Sequence, residues 1–266
     1  MIDKICFVSV SGGKDSTLTL ALALEKYLNT DIPVIAVFAD TCWEHPITYS
    51  YLNYLESLFK IKIHRVGIEG GIPGLIIKKK IFPCARIRFC TPMCKIIPIY
   101  KFYSKFYKTN SFKVAEDWTG MRKEESSTRV DIKDYELKAG EKTRFNQRFN
   151  FDIHFKYPIK NLTEREVIAK LKDRNIRLNP LYDKGFNRVG CYPCLLSEKS
   201  IRQVVRNYLN GDEVAKERVE QIIEWEKFVN GTVTIRTSIH DIIKEEIRRY
   251  KWNKKVYQYS FFKYGD

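Results

Sequence analysis

Apolar positions in this chain fall into short runs divided by turn residues. Ile5 to Val10 is apolar apart from Ser9 and predicts a strand buried on both faces. Thr17 to Leu28 places Leu18, Ala21, Leu22, Leu24 and Leu28 on one helical face. Ile32 to Phe38 predicts a second buried strand, and Pro46 opens a helix running to about Phe59. Ile61 to Val66 and Phe112 to Trp118 read as further strands, with Gly67 to Gly74 as loop between them. Asp131 to Arg148 is polar and reads as an insertion or flexible segment. His154 to Ile159 reads as a short edge strand, because Pro158 cannot donate to a ladder. Thr163 to Glu166 has a capping-box pattern, and from Ser197 the chain reads as helical through Val214 to Val229. The alternation predicts an α/β fold: a Rossmann-like parallel sheet of about five strands flanked by helices, with a mainly helical C-terminal region. Residues 1–160 are expected to form a nucleotide-binding domain. Residues 161–266 would hold a cysteine pair and a basic, aromatic C-terminal region.

The turn between the first strand and helix is Ser11-Gly12-Gly13-Lys14-Asp15-Ser16. Two glycines let backbone N–H groups point inward, and a helix N-terminus adds partial positive charge. Lys14 adds a full charge, while Ser11 and Ser16 supply hydroxyl donors. These parts suit a polyphosphate, although GxxxxGK[ST] is absent. The plainer reading is a Ser/Gly turn capped by Asp15 or Ser16. At the carboxyl end of the second strand, Asp40 lies where open α/β sheets bind ligands.

Charge and cysteines extend this picture. The 47 basic and 32 acidic residues give a net charge of +15, which points to an anionic partner such as nucleic acid. Lys78, Lys79 and Lys80 form a solvated basic run that would also suit a phosphate backbone. No apolar run is long enough for a membrane span, and Met1 to Lys4 leads straight into the first strand without a signal peptide, so a cytoplasmic protein is expected. Cys6 and Cys42 read as ordinary thiols. Cys84, Cys90 and Cys94 form one cluster, and Cys191 with Cys194 a second, which suggests a shared metal site. A single CxxC with irregular upstream spacing suits a [4Fe–4S] cluster better than zinc, which remains the alternative. The tail interleaves basic residues from Arg236 to Lys263 with Tyr250, Trp252, Tyr257, Tyr259, Phe261, Phe262 and Tyr264. That pattern fits single-stranded nucleic acid or the buried face of a helix.

Several motifs carry a family resemblance. Ser11 to Ser16 resembles the SGGKDS PP-loop of ATP pyrophosphatases, which cleave ATP between its α and β phosphates. Asp40-Thr41-Cys42-Trp43-Glu44-His45-Pro46-Ile47-Thr48 resembles DTGxExPxT of the phosphoadenosine-phosphosulfate (PAPS) reductase family, with Cys42 in place of glycine. Arg88, Cys90-Thr91, Lys95 and Pro98 resemble that family's RxCTxxxKxxP. Gly120, Arg122, Glu125 and Arg129 resemble GxRxxES…R, and Asn179 to Cys194 resembles NPLYxxGxxRxGCxxC.

The resemblance implies ATP with Mg²⁺, held by Ser9, Ser11, Gly12, Gly13, Lys14, Asp15, Ser16, Asp40, Gly120, Arg122 and Arg129. Lys14, Asp15, Ser16, Asp40, Arg88 and Lys95 would act in catalysis, while Glu125 orients arginines and His45 is structural. It points to adenylation of a nucleic acid for sulfur insertion, as in DNA phosphorothioation enzymes. Transfer RNA thiolation is the nearest alternative. A cysteine desulfurase would donate sulfur, and other modification proteins would choose the site. Two different classes stand beside this: a PAPS or adenylylsulfate reductase, whose Glu-Cys-Gly nucleophile has no counterpart after Cys194, and a zinc-bearing nucleic-acid-binding protein.

Overall fold

In a computed structural model, residues 2–261 are described along the backbone and 2–250 with side chains. Most of the aromatic tail, from Trp252 onward, therefore lies outside the described side chains. The chain forms two compact units: residues 1–72 with 89–190, and residues 73–88 with 191–266. This division differs from the expected break after residue 160.

The first unit is built on one six-stranded sheet. Its strands are β1 (Ile2–Val10), β2 (Val34–Asp40), β3 (Ile63–Gly67), β4 (Phe112–Thr119), β5 (Tyr135–Leu137) and β6 (Asp152–Lys156). Their order is β3-β2-β1-β4-β6-β5; all neighbours are parallel except β5 with β6. Its helices are α1 (Lys14–Tyr27), α2 (Pro46–Phe59), α4 (Ile97–Asn110) and α5 (Glu164–Asp173), while α3 (Gly71–Lys79) starts at the end of this unit and falls mostly in the second. A π-helical turn over Pro92–Ile96 leads into α4.

Alternation along β1 explains why both sheet faces are covered. Cys6 and Val8 join Leu20, Ala23, Leu52 and Leu55 on one face. Ile5 and Phe7 join Tyr103, Phe149, Phe151 and Ile153 on the other. Chain order reverses at β1, which has β2 on one side and β4 on the other. Such a switch point leaves a crevice at the carboxyl ends of the strands, where open α/β sheets bind ligands.

Two expectations are corrected. Residues 67–74 are not all loop, because Gly71, with φ +53°, starts α3. A Cβ there would lie 2.0 Å from the Thr41 carbonyl oxygen, which accepts the Ile72 N–H at 2.8 Å. Nor is β6 an edge strand. Its ladder ends at Lys156, before Pro158, and β5, from the polar stretch expected to be an insertion, covers its outer side. The Thr163 capping box forms as expected, with the Glu166 N–H donating to Thr163 Oγ1 at 3.2 Å.

The second unit contains α6 (Glu198–Leu209), α7 (Glu213–Val229) and α8 (Ile239–Phe261). Buried Glu246 accepts from Arg202 at 3.1 Å, Arg206 at 2.8 Å and Arg249 at 3.2 Å, tying α6 to α8. Three cations around one buried carboxylate more than neutralise its charge. No helix among the described residues is long and apolar enough to cross a membrane.

Two buried acids on β4 behave differently. Burial raises the Glu116 pKa, but hydrogen bonds from Tyr27 (2.5 Å) and Trp118 (2.7 Å), with Lys26 and Lys4 nearby, bring it below the ordinary value. Asp117, on the opposite face, accepts from Tyr103 at 3.1 Å, and burial pushes its pKa up to about 6. A raised carboxyl pKa stabilises the fold fully below the unfolded value and loses that contribution as pH rises through the folded one. Asp117→Asn keeps an acceptor for Tyr103. The variant is expected to gain on the wild type from pH 4 upward, reaching about 3 kcal/mol by pH 7 in urea unfolding.

Candidate functional site

The turn after β1 is shaped by its own side chains. Gly12 has φ +75°, and a Cβ there would meet Thr48 Cγ2 at 2.9 Å. The Ser16 hydroxyl donates to the Gly13 carbonyl at 3.0 Å and accepts the Ser11 N–H at 3.0 Å. Ser11 Oγ lies 3.2 Å from Ser16 Oγ and accepts the Gly13 N–H at 3.4 Å. The turn is thereby held open at the first turn of α1, whose N-cap is Gly13.

Lys14 is 3% exposed, and its ammonium is surrounded. It lies 3.3 Å from Asp15 Oδ2, 3.0 Å from Glu164 Oε1 and 5.3 Å from the centre of the Tyr182 ring. Asp15 also binds Arg122, whose Nε donates to Oδ1 at 2.5 Å, and Arg122 pairs with Glu124 as well. Arg122 is 4% exposed; burial opposes its charge, yet Asp15 and Glu124 raise its pKa on balance. One carboxylate thus separates two buried cations beside the glycine turn.

Gly120 follows β4 and lies against the same turn. A Cβ on it would be 2.7 Å from both the carbonyl carbon and oxygen of Asp15. At Gly120 the β4 end thus lies directly against the α1 backbone. Arg129 pairs with Glu125, which also binds Arg188 at 3.0 Å. Glu125 therefore orients Arg129 and Arg188 and accepts the Arg122 backbone N–H at 3.4 Å, while the Arg122 side chain belongs to Asp15 and Glu124.

Asp40, at the carboxyl end of β2, accepts from the Cys42 N–H at 2.9 Å and the Tyr49 hydroxyl at 2.8 Å. Glu44 is 3% exposed and takes the Thr41 N–H (3.1 Å), the Thr41 hydroxyl (2.6 Å) and the Trp43 N–H (3.2 Å). Burial raises its pKa despite those bonds and despite the nearby Lys95 cation, which opposes the rise. Glu44 thus organises the post-β2 turn, and Lys95, in the π-helical turn, lies within its field. His45 caps α2 by accepting the Ile47 N–H at 3.0 Å, the structural role expected of it. Ser9 pairs with Thr119 across β1 and β4, one strand position before the turn.

Not every expected residue joins this group. Arg88 is exposed and belongs to the second unit. The five candidate metal cysteines divide: Cys90 and Cys94, both buried, lie in the first unit, and Cys84, Cys191 and Cys194, half-buried, in the second. Among the described residues no set of three or more His, Cys, Asp or Glu side chains could hold a metal ion.

Three contributors went unassigned in the sequence. The Tyr182 hydroxyl accepts the Lys14 N–H at 2.9 Å, and Asn179, 1% exposed, donates to the Gly12 carbonyl at 3.1 Å. Both lie in the NPLY stretch, whose motif match was the signal available. Glu164 sits in the recognised capping box, but nothing local pointed it at Lys14.

A glycine turn at the switch point of a doubly wound sheet, with buried cations beside it, defines an anion-binding α/β domain of the nucleotide-binding class. The chain belongs to the phosphoadenosine phosphosulfate reductase domain family, which it matches over residues 5–197. It is similar to an uncharacterized 37.8 kDa protein of Escherichia phage 186, at 28% identity over 93% of this chain and 86% of that one. It is also similar to adenosine 5'-phosphosulfate reductase of Neisseria meningitidis, at 27% identity over 68% of this chain and 72% of the enzyme. Two uncharacterized Methanocaldococcus jannaschii relatives are longer, and this chain spans 36% and 40% of them. Among solved structures, the U34-tRNA thiolase of Methanococcus maripaludis with its [4Fe-4S] cluster aligns with TM-score 0.45 and 12% identity, covering 91% of this chain and 80% of that one.

Gly120→Ala tests the packing of the turn. The added methyl faces backbone, which cannot swing aside, so a loss of about 1–3 kcal/mol is expected in denaturant unfolding. A variant as stable as the wild type would mean that the two backbones do not touch.

Proposed function

We propose that this chain is an ATP pyrophosphatase that adenylates a nucleic acid so that sulfur can replace an oxygen, with DNA phosphorothioate modification as the leading setting. One observation carries the reading: an open glycine turn at the β1/β4 switch point, with Lys14 and Arg122 buried beside it. The backbone N–H groups of the turn and the α1 N-terminus would take the phosphates, with Mg²⁺ accompanying ATP. Lys14 would exchange Glu164, half exposed, for phosphate oxygen, while Asp15 keeps Lys14 and Arg122 in place. Preorganised cations of this kind stabilise the charge that builds up as pyrophosphate leaves.

The acceptor oxygen would attack the α phosphorus, and the bond from that phosphorus to the bridging oxygen would break, releasing pyrophosphate with the electron pair. The acceptor is then adenylated. A sulfur nucleophile, supplied by a cysteine desulfurase, would displace AMP. Asp40, fixed by Tyr49 and the Cys42 N–H, presents its remaining oxygen as a ligand for metal or ribose. Transfer RNA thiolation uses the same first half and differs in the acceptor. The net charge of +15 supports a nucleic-acid acceptor of either kind.

Similarity to the Neisseria reductase favours a second reading, reduction of a sulfonucleotide. The two separate on products. With ATP, the first reading expects AMP and pyrophosphate, and with PAPS or adenylylsulfate it expects no sulfite. Lys14→Ala should lower pyrophosphate release by about 100-fold or more. Ser16→Ala, which removes both the Gly13 and Ser11 hydrogen bonds, should lower it by about tenfold. Unchanged release in both variants, or sulfite from PAPS, overturns the assignment.

A further inference from the structure

The second unit contains a groove of about 330 Å³, lined by two chain segments. Residues 80–87 form one wall, including Ile81, Cys84 and Ile87, and residues 229–235 form the other, including Thr232 and Ile235. Phe82 also lines it and is 6.4 Å, ring to ring, from Trp225 of α7. Both walls are held in shape by hydrogen bonds. Cys84 and Ile87 exchange backbone bonds at 3.2 and 3.1 Å. The opposite wall hangs from Glu226, whose Oε1 accepts the Val233 N–H at 2.7 Å and the Ile239 N–H at 3.0 Å. Thr234 Oγ1 closes the turn by accepting the Thr237 N–H at 2.8 Å.

The groove combines apolar lips with one sign of charge. Ile87 is 52% exposed and Ile235 is 59% exposed, so large aliphatic side chains face solvent on both walls. Lys78, Lys79, Lys80, Arg86, Arg88 and Arg236 are all exposed on the lining segments or next to them in sequence. Residues 73–88 contain five basic and no acidic residues, and residues 229–236 contain one basic and none acidic. A small-molecule anion needs only a cation or two. Basic residues that flank the lining segments in sequence fit a chain of phosphates, and an apolar cleft between those segments fits a flat ring. The volume is at the small end for ligand clefts, which begin near about 300 Å³.

We infer that this groove binds one unstacked nucleotide of single-stranded nucleic acid. Its base lies between Ile81, Ile87 and Ile235, and the flanking phosphates lie on Lys80, Arg86 and Arg236. The inference deepens the nucleic-acid reading above by assigning a surface that holds the strand, and it does not depend on ATP chemistry.

The test uses the full chain without ATP and reads the fluorescence anisotropy of a labelled twelve-nucleotide dT strand over a range of salt. Lys80→Glu/Arg86→Glu/Arg236→Glu should weaken binding by at least about 30-fold and flatten the log–log salt slope by about 2, since each phosphate contact on a single strand contributes about 0.7. Ile87→Ser/Ile235→Ser should weaken binding about tenfold with the slope unchanged, because a base contact is lost and no charge is. A strand with abasic sites should bind the wild type as weakly as the intact strand binds the serine variant. All five substituted side chains are exposed, so folding is not at stake. Wild-type affinity in the charge-reversal variant, an abasic strand bound as tightly as the intact one, or equal competition by polyglutamate would overturn the inference. Pyrophosphate release, measured without oligonucleotide, fails or succeeds separately.

Discussion

The Asp15 carboxylate stands between the Lys14 ammonium and the Arg122 guanidinium, and all three lie at or near the first turn of α1. Two buried cations a few ångströms apart would repel each other and lose most of their hydration, at a cost of several kcal/mol each if unpaired. Asp15 offsets both. Its position also fixes geometry: Arg122 comes from the turn after β4, so the pair joins that turn to the start of α1 across the switch point. Gly120, pressed against the Asp15 carbonyl, closes the same joint through the backbone. Glu124 and Glu164 complete the charge balance from outside and are about half exposed. They are the partners that an incoming phosphate can replace at least cost, since they can return to water, whereas Asp15 cannot leave without releasing the joint.

The parts of the fold legible in the sequence are those set by local periodicity. The strand from Ile5 to Val10 reads correctly because burial on both faces leaves no alternation to confuse it, and Pro46 marks the start of α2 because its φ suits a first helical turn. The failures come from residues with two uses. Gly71 reads as loop in sequence, but its positive φ lets a helix start where Thr41 leaves no room for a side chain. Pro158 was read as a sign of an edge, but it lies two residues beyond the end of the β6 ladder and so constrains nothing inside it. The stretch from Asp131 to Arg148 looked unstructured because Tyr135–Leu137 is too short to show a period.

The site was legible as a set of motifs and much less so as a set of contacts. Ser11 to Ser16 announces an anion turn because each residue acts on its near neighbours, as the Ser16 bonds to Gly13 and Ser11 show. Tyr182 and Asn179 reach the same turn across 168 and 167 residues of chain. No spacing rule connects positions that far apart; only the fold does. Glu125 shows both cases: its pairing with Arg129, four residues on, was legible in the motif, whereas Arg188 reaches it across 63 residues of chain.

Charge is distributed differently in the two units. In the nucleotide-binding unit the cations near the turn are largely matched: Lys14 by Asp15 and Glu164, Arg122 by Asp15 and Glu124, Arg188 by Glu125. A site for one polyphosphate needs local excess charge only when the ligand arrives, and carboxylates that can be exchanged supply that condition. The segments 73–88 and 229–236 are built differently, with six cations and no acid. A lysine-rich background composition would scatter acids there as it does elsewhere, and it would not set exposed isoleucines among the cations. Charge of one sign held along a surface costs self-repulsion, and under the proposed function a line of negative charge offsets that cost. Under the proposed function, nucleic acid is that line of charge, so the one-signed segments would serve the acceptor and the paired cations ATP.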